Sequence, residues 1–320
     1  YLRSQSDFSH DFGLEVNITE ESLGKMFGVL VVADIDSELG YLTSFSGKLG
    51  DQNVHQHFVP PVFDMLEEGS YFVLESAKLD VLNKEILKLE SHPSLEERKS
   101  KLEEETQKTN HAIEQQKIEL KAIQKERQAR RAKAENALSE ADFSILKKQH
   151  NQESINDNFL LREYTLYLQE KLQVTQASYD ELAKPIADRK AKMKTMSNAL
   201  QSWLFEQYDF LNIHKEPKNV IDIFKHKIPN VPPSGAGDCA APKLFQYAFL
   251  NGLKPIAMAE FWWGAPPNSN SRKHKYFYPS CRGKCEPILG HMLSGIDMDP
   301  NPLLVNPALG KELEIIFEDE

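Results

Sequence analysis

The sequence predicts an α+β protein in which a small core of short strands and helices is interrupted by a long antiparallel helical hairpin resembling a coiled coil. The distribution of glycine carries this prediction: seven glycines lie at or before Gly69, eight lie at or after Gly235, and none lies between them. The glycine-free stretch is rich in Glu, Lys, Gln, Ala and Leu, which lose the least free energy on entering a helix. The predicted regions are residues 1–75, 76–210, 211–312 and 313–320.

Residues 1–75 are predicted to give the core a β-hairpin. Two runs rich in β-branched and aromatic residues, 27–33 and 39–45, are separated by turn residues at 34–38. The region holds 3 basic and 13 acidic side chains, which accounts for the whole formal charge of −10. A uniformly basic nucleic-acid-binding surface is therefore excluded, whereas a local basic face is not.

Residues 76–210 are predicted to form the helical hairpin. A first helix shows apolar steps of three and four residues and breaks at His92-Pro93. The chain is expected to restart with Ser94 as N-cap and to run helically from residue 95 to about residue 148. A turn at 148–156 and a partner helix at 154–207 complete the hairpin, with Pro185 marking a kink or boundary. The apolar flank of the partner helix is Leu160, Leu161, Tyr164, Leu168 and Leu172.

Residues 211–312 are predicted to complete the core. The expected elements are a helix at 239–250, a strand at 254–263, a short strand at 276–278 and a helix after Cys285. Residues 313–320 have the pattern of the first strand of a further domain.

Three cysteines, Cys239, Cys281 and Cys285, fall at the starts of two predicted helices. So few cysteines do not fit a disulfide-stapled secreted domain and favour a reducing, cytoplasmic setting. Together with the element order, they resemble the cytidine-deaminase-type zinc site, in which a glutamate follows the first ligand by two residues and a Pro-Cys-x-x-Cys pair comes later. Here Ala241 stands at the glutamate position, and the pair is Cys-x-x-x-Cys.

Three interpretations of the cysteines stay open. They are reduced structural residues that require no cofactor, ligands of a structural zinc ion, or remnants of a degenerate deaminase-like domain. Without the glutamate a zinc-bound water lacks its general acid and base. Glu260 or Glu286 replaces it only if the fold brings one of them to the cysteines.

A second feature is a stretch at 261–284 in which basic and aromatic side chains alternate without an acidic one. Basic groups hold phosphates and aromatic faces stack on unpaired bases, which predicts an RNA contact. The alternative is that the aromatic rings fill the core while the basic groups are solvated. The helical stretch 117–133 is also basic and is a candidate to follow an RNA backbone. The predicted RNA-contact residues are Trp262, Trp263, Arg272, Lys273, Lys275, Arg282, Lys284, Lys121, Arg130 and Arg131.

Residues 234–243, 259–264 and 277–287, together with 27–49, resemble the long N-terminal extension of certain bacterial RluA-type pseudouridine synthases. In those proteins the catalytic domain follows and opens with a strand like 313–320. Their catalytic His-Arg-Leu-Asp sequence has no counterpart in this chain, so no catalytic residue is carried over. The resemblance implies an accessory region that engages structured RNA, either tRNA or rRNA, for a C-terminal pseudouridine synthase domain.

A different class of function follows from the helical hairpin itself, because long helical hairpins pair with other helices. A protein-interaction or self-association module, with a homo-oligomer as its product, is the alternative to RNA engagement. The membrane is not an expected partner, since apolar runs such as 29–33 are far too short to span a bilayer.

Overall fold

The computed structural model describes Leu2 and residues 10–14, 24–267 and 269–305. The protein is α+β, as predicted. The chain divides into two compact units, which we call the core unit (residues 1–78 with 196–320) and the helical unit (residues 79–195). The strand predicted at 313–320 lies outside the described residues.

Short runs of strands and helices follow one another along the chain. They are β1 (Lys25–Ala33), β2 (Leu39–Phe45), α1 (Tyr71–Glu90), α2 (Pro93–Glu135), α3 (Glu140–Glu206), β3 (Asp209–Leu211), β4 (Pro217–Asn219), α4 (Val220–Phe224), α5 (Ala240–Leu250), β5 (Lys254–Trp263), α6 (Cys285–Met292) and α7 (Pro302–Val305). The predicted hairpin, the helix after Cys239, the strand before Gly264 and the helix from Cys285 are therefore confirmed.

The core unit is built on an antiparallel sheet with the strand order β2-β1-β5. Helix α5 packs on one face of this sheet at Gly28, where a Cβ would lie 3.0 Å from Leu244 Cδ1 and 3.2 Å from Ala240 Cβ. The absence of a side chain at Gly28 thus lets the helix approach the strand closely. Gly28 pairs in register with Glu260 on β5, which brings that carboxylate toward the beginning of α5.

The two faces of the sheet carry separate apolar clusters. Leu30 and Val32 of β1 belong to the larger cluster, which includes much of α5 and α6. Phe27 of β1 and Trp263 of β5 belong to the smaller one, together with Phe45. This division follows from the period of two along a strand, which sends successive side chains to opposite faces. Residues 203–205 of α3 also supply side chains to the larger cluster, so the core extends into the region predicted as the end of the insertion.

Residues 276–278 do not form the predicted strand. Phe277 makes a single antiparallel bridge to Phe261, and the N–H of Tyr278 donates to the carbonyl of Glu260 at 3.0 Å. Lys275, directly before this segment, has a φ of 64°. That left-handed conformation turns the chain and limits its pairing along the edge of β5.

The predicted hairpin turn at 148–156 is wrong. Helix α2 ends at Glu135 and α3 begins at Glu140. The physical reason is a cap: the N–H of Asp142 donates to Ser139 Oγ at 3.2 Å, and Ser139 Oγ donates to the Asp142 carboxylate at 2.6 Å. A serine that satisfies a free N–H in this way begins a helix. Similarly, His92 rather than Ser94 caps α2, with Pro93 in its first turn.

The helical unit is an antiparallel pair whose contacts are mainly polar. Arg98 donates to the carbonyl of Ser178 at 2.7 Å, and Arg127 donates to the Asp157 carboxylate at 2.7 Å. The predicted apolar flank is wrong in part, because the side chain of Leu160 is 63% exposed. Tyr164 is exposed as well, whereas Leu161, Leu168 and Leu172 are partly buried. Pro185 lies inside α3 and does not end it.

Candidate functional site

The three cysteines converge in the core unit, at the beginnings of two helices. Cys239 is the N-cap of α5 and Cys285 is the first residue of α6. The Sγ atoms of Cys281 and Cys285 lie 3.4 Å apart. The pKa of Cys239 is shifted by interactions with both of these thiols. All three are free thiols, and the fold thus brings together side chains separated by more than forty residues in sequence. We call this the cysteine cluster.

Of the three thiols, Cys281 is the one whose pKa is lowered. Hydrogen bonds from Cys239 and Cys285, together with the N–H groups of Cys285 and Lys284, hold the pKa of Cys281 well below its usual range. The N–H of Cys285 donates to the Cys281 Sγ at 3.3 Å. Hydrogen bonding to Cys281 and burial raise the pKa of Cys239 to about 12, and hydrogen bonds to Cys239 and Cys281 raise that of Cys285. A thiolate held by a helix N-terminus and thiol donors is a potential nucleophile or metal ligand.

Glu260 lies next to the cluster and is almost completely buried. Its Oε1 accepts from the N–H of Ala241 at 3.2 Å, and its Oε2 accepts from Ser280 Oγ at 3.3 Å. Burial raises the pKa of Glu260 to about 7, opposed by these two hydrogen bonds. Ala241 comes two residues after Cys239, and Ser280 directly precedes Cys281. The carboxylate therefore bonds to both cysteine-bearing segments, whereas Glu286 is exposed on α6.

Two further charged groups surround the beginning of α5. Lys243 is buried and donates to the carbonyls of Phe45 at 3.0 Å and Gly47 at 3.4 Å. Burial lowers the pKa of Lys243 to about 8, although Asp238 and Cys239 oppose this change. The hydroxyl of Tyr208 donates to the Asp238 carboxylate. The site therefore combines thiols, carboxylates and an amine around one helix N-terminus.

The loop before Cys239 is fixed by a glycine. Gly237 has a φ of 104°, and a Cβ there would lie 2.6 Å from Cδ1 of Tyr208. Only glycine adopts this conformation at this distance from the ring without strain. The Gly-Ala-Gly-Asp sequence therefore positions the first cysteine.

Among the described residues, no set of three His, Cys, Asp or Glu side chains already surrounds a metal position. The short separation of the Cys281 and Cys285 sulfurs agrees with this finding. Two sulfurs that hydrogen-bond at 3.4 Å are closer than the roughly 3.8 Å that tetrahedral Zn–S bonds of about 2.3 Å require. The donor set nevertheless has the chemistry of a zinc site.

The predicted RNA-contact side chains differ in their exposure. Lys273 and Arg282 are exposed, whereas Arg272 and Lys275 are partly buried. The guanidinium of Arg272 lies over the Tyr278 ring, 4.3 Å from its centroid. The amine of Lys273 lies 5.7 Å from the centroid of Tyr276. The segment thus presents cations supported by aromatic rings.

The two tryptophans are mainly structural. Trp263 is buried in the smaller apolar cluster, and its ring lies against that of His274, with centroids 4.5 Å apart. The indole N–H of Trp262 donates to the carbonyl of Ala265 at 2.9 Å. Trp263 is therefore a core residue, whereas the ring of Trp262 is only partly buried. Lys284 is partly buried close to Gly235.

An aromatic cavity of about 1050 Å³ adjoins the basic segment. Its lining includes Phe58, Phe261, Phe277, the edge of Trp263 and Lys275. Phe261, Trp263, Lys275 and Phe277 belong to the basic and aromatic stretch at 261–284, whereas Phe58 does not, and the pattern of that stretch does not indicate a cavity. Within the part of the chain that the structure describes, the indole N–H of Trp263 is buried and has no hydrogen-bond partner.

In the helical unit, several basic side chains of the stretch 117–133, the predicted basic stripe, already make contacts within the unit. Arg130 pairs with Glu126 at 2.8 Å. Arg131 donates to the His150 ring at 3.2 Å and to Asn151 at 3.0 Å. Lys121 remains exposed. The stripe therefore offers fewer solvated cations than its sequence indicates, because Arg127 and Arg131 bond across to α3 and Arg130 pairs within α2.

Comparisons with known proteins find no matching family model, no matching curated protein and no matching solved structure. Within the described ranges, none of the helices is both long and apolar enough to cross a bilayer.

Proposed function

We propose that the chain is an accessory region of an RNA pseudouridine synthase and engages structured RNA through the basic segment at 272–284. The sequence resemblance supports the enzyme class. The observation that carries the RNA proposal is the position of this segment beside the aromatic cavity. Lys275 and Phe277 belong to both features, so phosphate-binding and base-binding chemistry occur side by side.

The electrostatics support a local contact. Arg272, Lys273 and Arg282 lie in a stretch without acidic side chains. Cations of this kind hold phosphates and release condensed counterions, which makes binding salt-dependent. A cavity lined by phenylalanine rings accepts an unstacked base, because every base has an apolar face that stacks on an aromatic ring. In this proposal Trp263 forms part of the cavity lining, whereas Trp262 does not belong to it.

The isomerisation of uridine is assigned to a C-terminal catalytic domain and not to this region. Structured tRNA or rRNA is the proposed substrate class, and the proposed setting is cytoplasmic. The role of the region is to hold the RNA while the other domain reacts with it.

Fluorescence anisotropy with a labelled tRNA or rRNA hairpin, measured across a salt series, tests the proposal. The variant reverses three charges: Arg272→Glu, Lys273→Glu and Lys275→Glu. A matched control makes the same charge change at the exposed residues Lys218, Lys225 and Lys227. We expect the first variant to lose at least about tenfold in affinity and about 2 units of the logarithmic salt slope.

The control should retain most of the affinity. Equal losses in both variants would show a nonspecific effect of charge, and the absence of binding at low salt would overturn the proposal. Circular dichroism of each variant establishes that it is folded.

A second candidate function, self-association through α3, is favoured by a separate observation. Seven apolar side chains lie along one arc of this helix at 3.6 residues per turn, and all are at least 43% exposed. These residues are Ile145, Ile155, Phe159, Leu160, Leu166, Tyr167 and Val174. Exposed apolar stripes mark interaction surfaces, and a second copy of the chain would cover this one. Light scattering at increasing concentration tests it: a strictly monomeric chain would contradict the proposal.

A further inference from the structure

We infer that the cysteine cluster binds one Zn²⁺ through three thiolates and leaves the fourth coordination position beside Glu260. This inference goes beyond the proposed RNA contact and does not depend on it. It rests on the convergence of three thiols from two helix starts, and on the buried carboxylate that bonds to both of the cysteine-bearing segments.

The separation of two of the sulfurs is close to that in a zinc site. The sulfurs of Cys281 and Cys285 lie 3.4 Å apart. Tetrahedral zinc with Zn–S bonds of about 2.3 Å needs sulfurs roughly 3.8 Å apart. Because hydrogen bonds rather than covalent bonds join these thiols, this pair needs to separate by only a few tenths of an ångström, and Cys239 must move to the same ion. Zinc would replace the shared protons, as expected for ligands that bind as thiolates.

The surroundings favour the charge of such a site. Zn²⁺ with three thiolates carries a formal charge of −1. The N–H of Cys285 already donates to the Cys281 sulfur at 3.3 Å, which is the kind of outer hydrogen bond that supports metal ligands. The amines of Lys243 and Lys284 both interact electrostatically with Cys239. The site therefore has compensating positive charge on more than one side.

Glu260 distinguishes this site from a closed structural one. Three protein ligands leave one position of a tetrahedral ion, which in catalytic zinc sites holds a water molecule. The hydrogen bonds of Glu260 to Ala241 and Ser280 hold its carboxylate at the cluster. A carboxylate held there accepts a hydrogen bond from a zinc-bound water. Glu260 lies on strand β5 and accepts a hydrogen bond from the N–H of Ala241. Ala241 stands at the position where the deaminase-type pattern has its glutamate.

The test begins with the whole chain, purified with a reductant and without chelators. We expect about one zinc per chain by elemental analysis. Substitution with Co²⁺ should give thiolate-to-cobalt charge-transfer absorption together with the visible bands of a tetrahedral ion. Addition of cyanide should change those visible bands, because an open position exchanges its ligand.

Variants separate the roles of the residues. Cys281→Ser, at a partly buried position, should weaken zinc binding at least tenfold. Glu260→Gln should retain one zinc per chain, as should the matched control Glu286→Gln on the exposed face of α6. The cobalt spectrum of the unmodified chain gives a readout that does not depend on whether a variant folds.

Three results would overturn the inference. The first is a folded, reduced chain that takes up neither zinc nor cobalt. The second is a Cys281–Cys285 disulfide in protein prepared with reductant. The third is loss of zinc in Glu260→Gln to the same extent as in Cys281→Ser, because that result makes Glu260 a ligand and the site closed.

Discussion

The core unit and the helical unit are stabilised by different interactions. In the core unit, Leu244, Ile288 and Met292 are completely inaccessible to solvent. Among the described residues of the helical unit, the buried hydrophobic side chains are Leu82, Ile86, Leu120 and Ile186. Partly buried leucines such as Leu161, Leu168 and Leu172 add to these, together with ion pairs and hydrogen bonds between helices. The cysteine cluster, the buried Glu260 and the aromatic cavity all lie in the core unit.

This difference indicates a division of roles. Chemistry that needs precise distances and a low dielectric occurs where packing is dense. In the helical unit, arginine contacts fix how the two helices are aligned, but few side chains are shielded from water. We therefore interpret the core unit as the functional part of the chain and the helical unit as an extended insertion that supplies surface.

The largest expected effect comes from truncating the apolar core. Leu244→Ala removes a completely buried side chain that packs against Gly28, and it should lower the free energy of unfolding by about 3–4 kcal/mol. Tryptophan fluorescence during urea unfolding measures it, since Trp203, Trp262 and Trp263 all belong to the core unit. The control, Leu160→Ala on the exposed face of α3, should cost less than about 0.5 kcal/mol. Equal costs would contradict the comparison.

The second effect is a pH dependence caused by Glu260. Its pKa is raised by burial to about 7, so between about pH 4.5 and pH 7 the folded chain holds a proton that the unfolded chain releases. Stability should therefore fall as pH rises through this interval, by up to about 3 kcal/mol. Urea unfolding at each pH, with chelator present, gives the profile.

Glu260→Gln should flatten that profile, whereas Glu286→Gln at the exposed position should not change it. A wild-type profile that rises over the interval would show that the carboxylate is ionised when folded and that burial is not its dominant influence.

The third effect concerns the loop before Cys239. Gly237→Ala places a methyl group against the Tyr208 ring at a φ of 104°, which should cost about 1–3 kcal/mol. Gly290→Ala on α6 is the matched control, because no atom lies within 4 Å of its Cβ position. We expect that change to be neutral or stabilising. Thermal unfolding compares the two, and similar melting temperatures would contradict the assigned role of Gly237.

The smallest effect is expected in the helical unit. Arg127→Ala removes hydrogen bonds to Ser154 and Asp157 and should lower stability by about 1–2 kcal/mol, less at high salt. The exposed Arg130→Ala should produce no measurable change. Far-ultraviolet circular dichroism during unfolding reports these helices. A loss for Arg130 as large as that for Arg127 would show that the contacts between helices are not specific.

Sequence reasoning found the elements more reliably than their junctions. Composition alone indicated the long helices, because side-chain propensity acts locally. The turn was misplaced because Ser139 caps α3, and many other polar residues in this stretch have the same capping signature in the sequence. The contacts of Arg127 and Arg131 were missed for a related reason: a basic side chain that pairs across a hairpin has the same sequence signature as one that is solvated.

The candidate site was predictable only in part. The three cysteines were visible at two predicted helix starts, and the fold brings them together. Glu260 carried a weak signal, since it is the single acidic residue within β5. Its approach to Ala241 depends on the register of β5 against β1 and on the absence of a side chain at Gly28. Those are long-range packing effects, and no local pattern in the sequence encodes them.

The most direct test of the functional division compares charge reversal in the two units with one structured RNA. One variant changes Arg272, Lys273 and Lys275 to Glu in the core unit. The other changes Lys117, Lys121 and Lys125 to Glu in the helical unit, with the same change in net charge. Fluorescence anisotropy at low salt should show at least about a tenfold loss of affinity for the first variant and little loss for the second. A larger loss for the second variant would contradict the assignment of RNA engagement to the core unit.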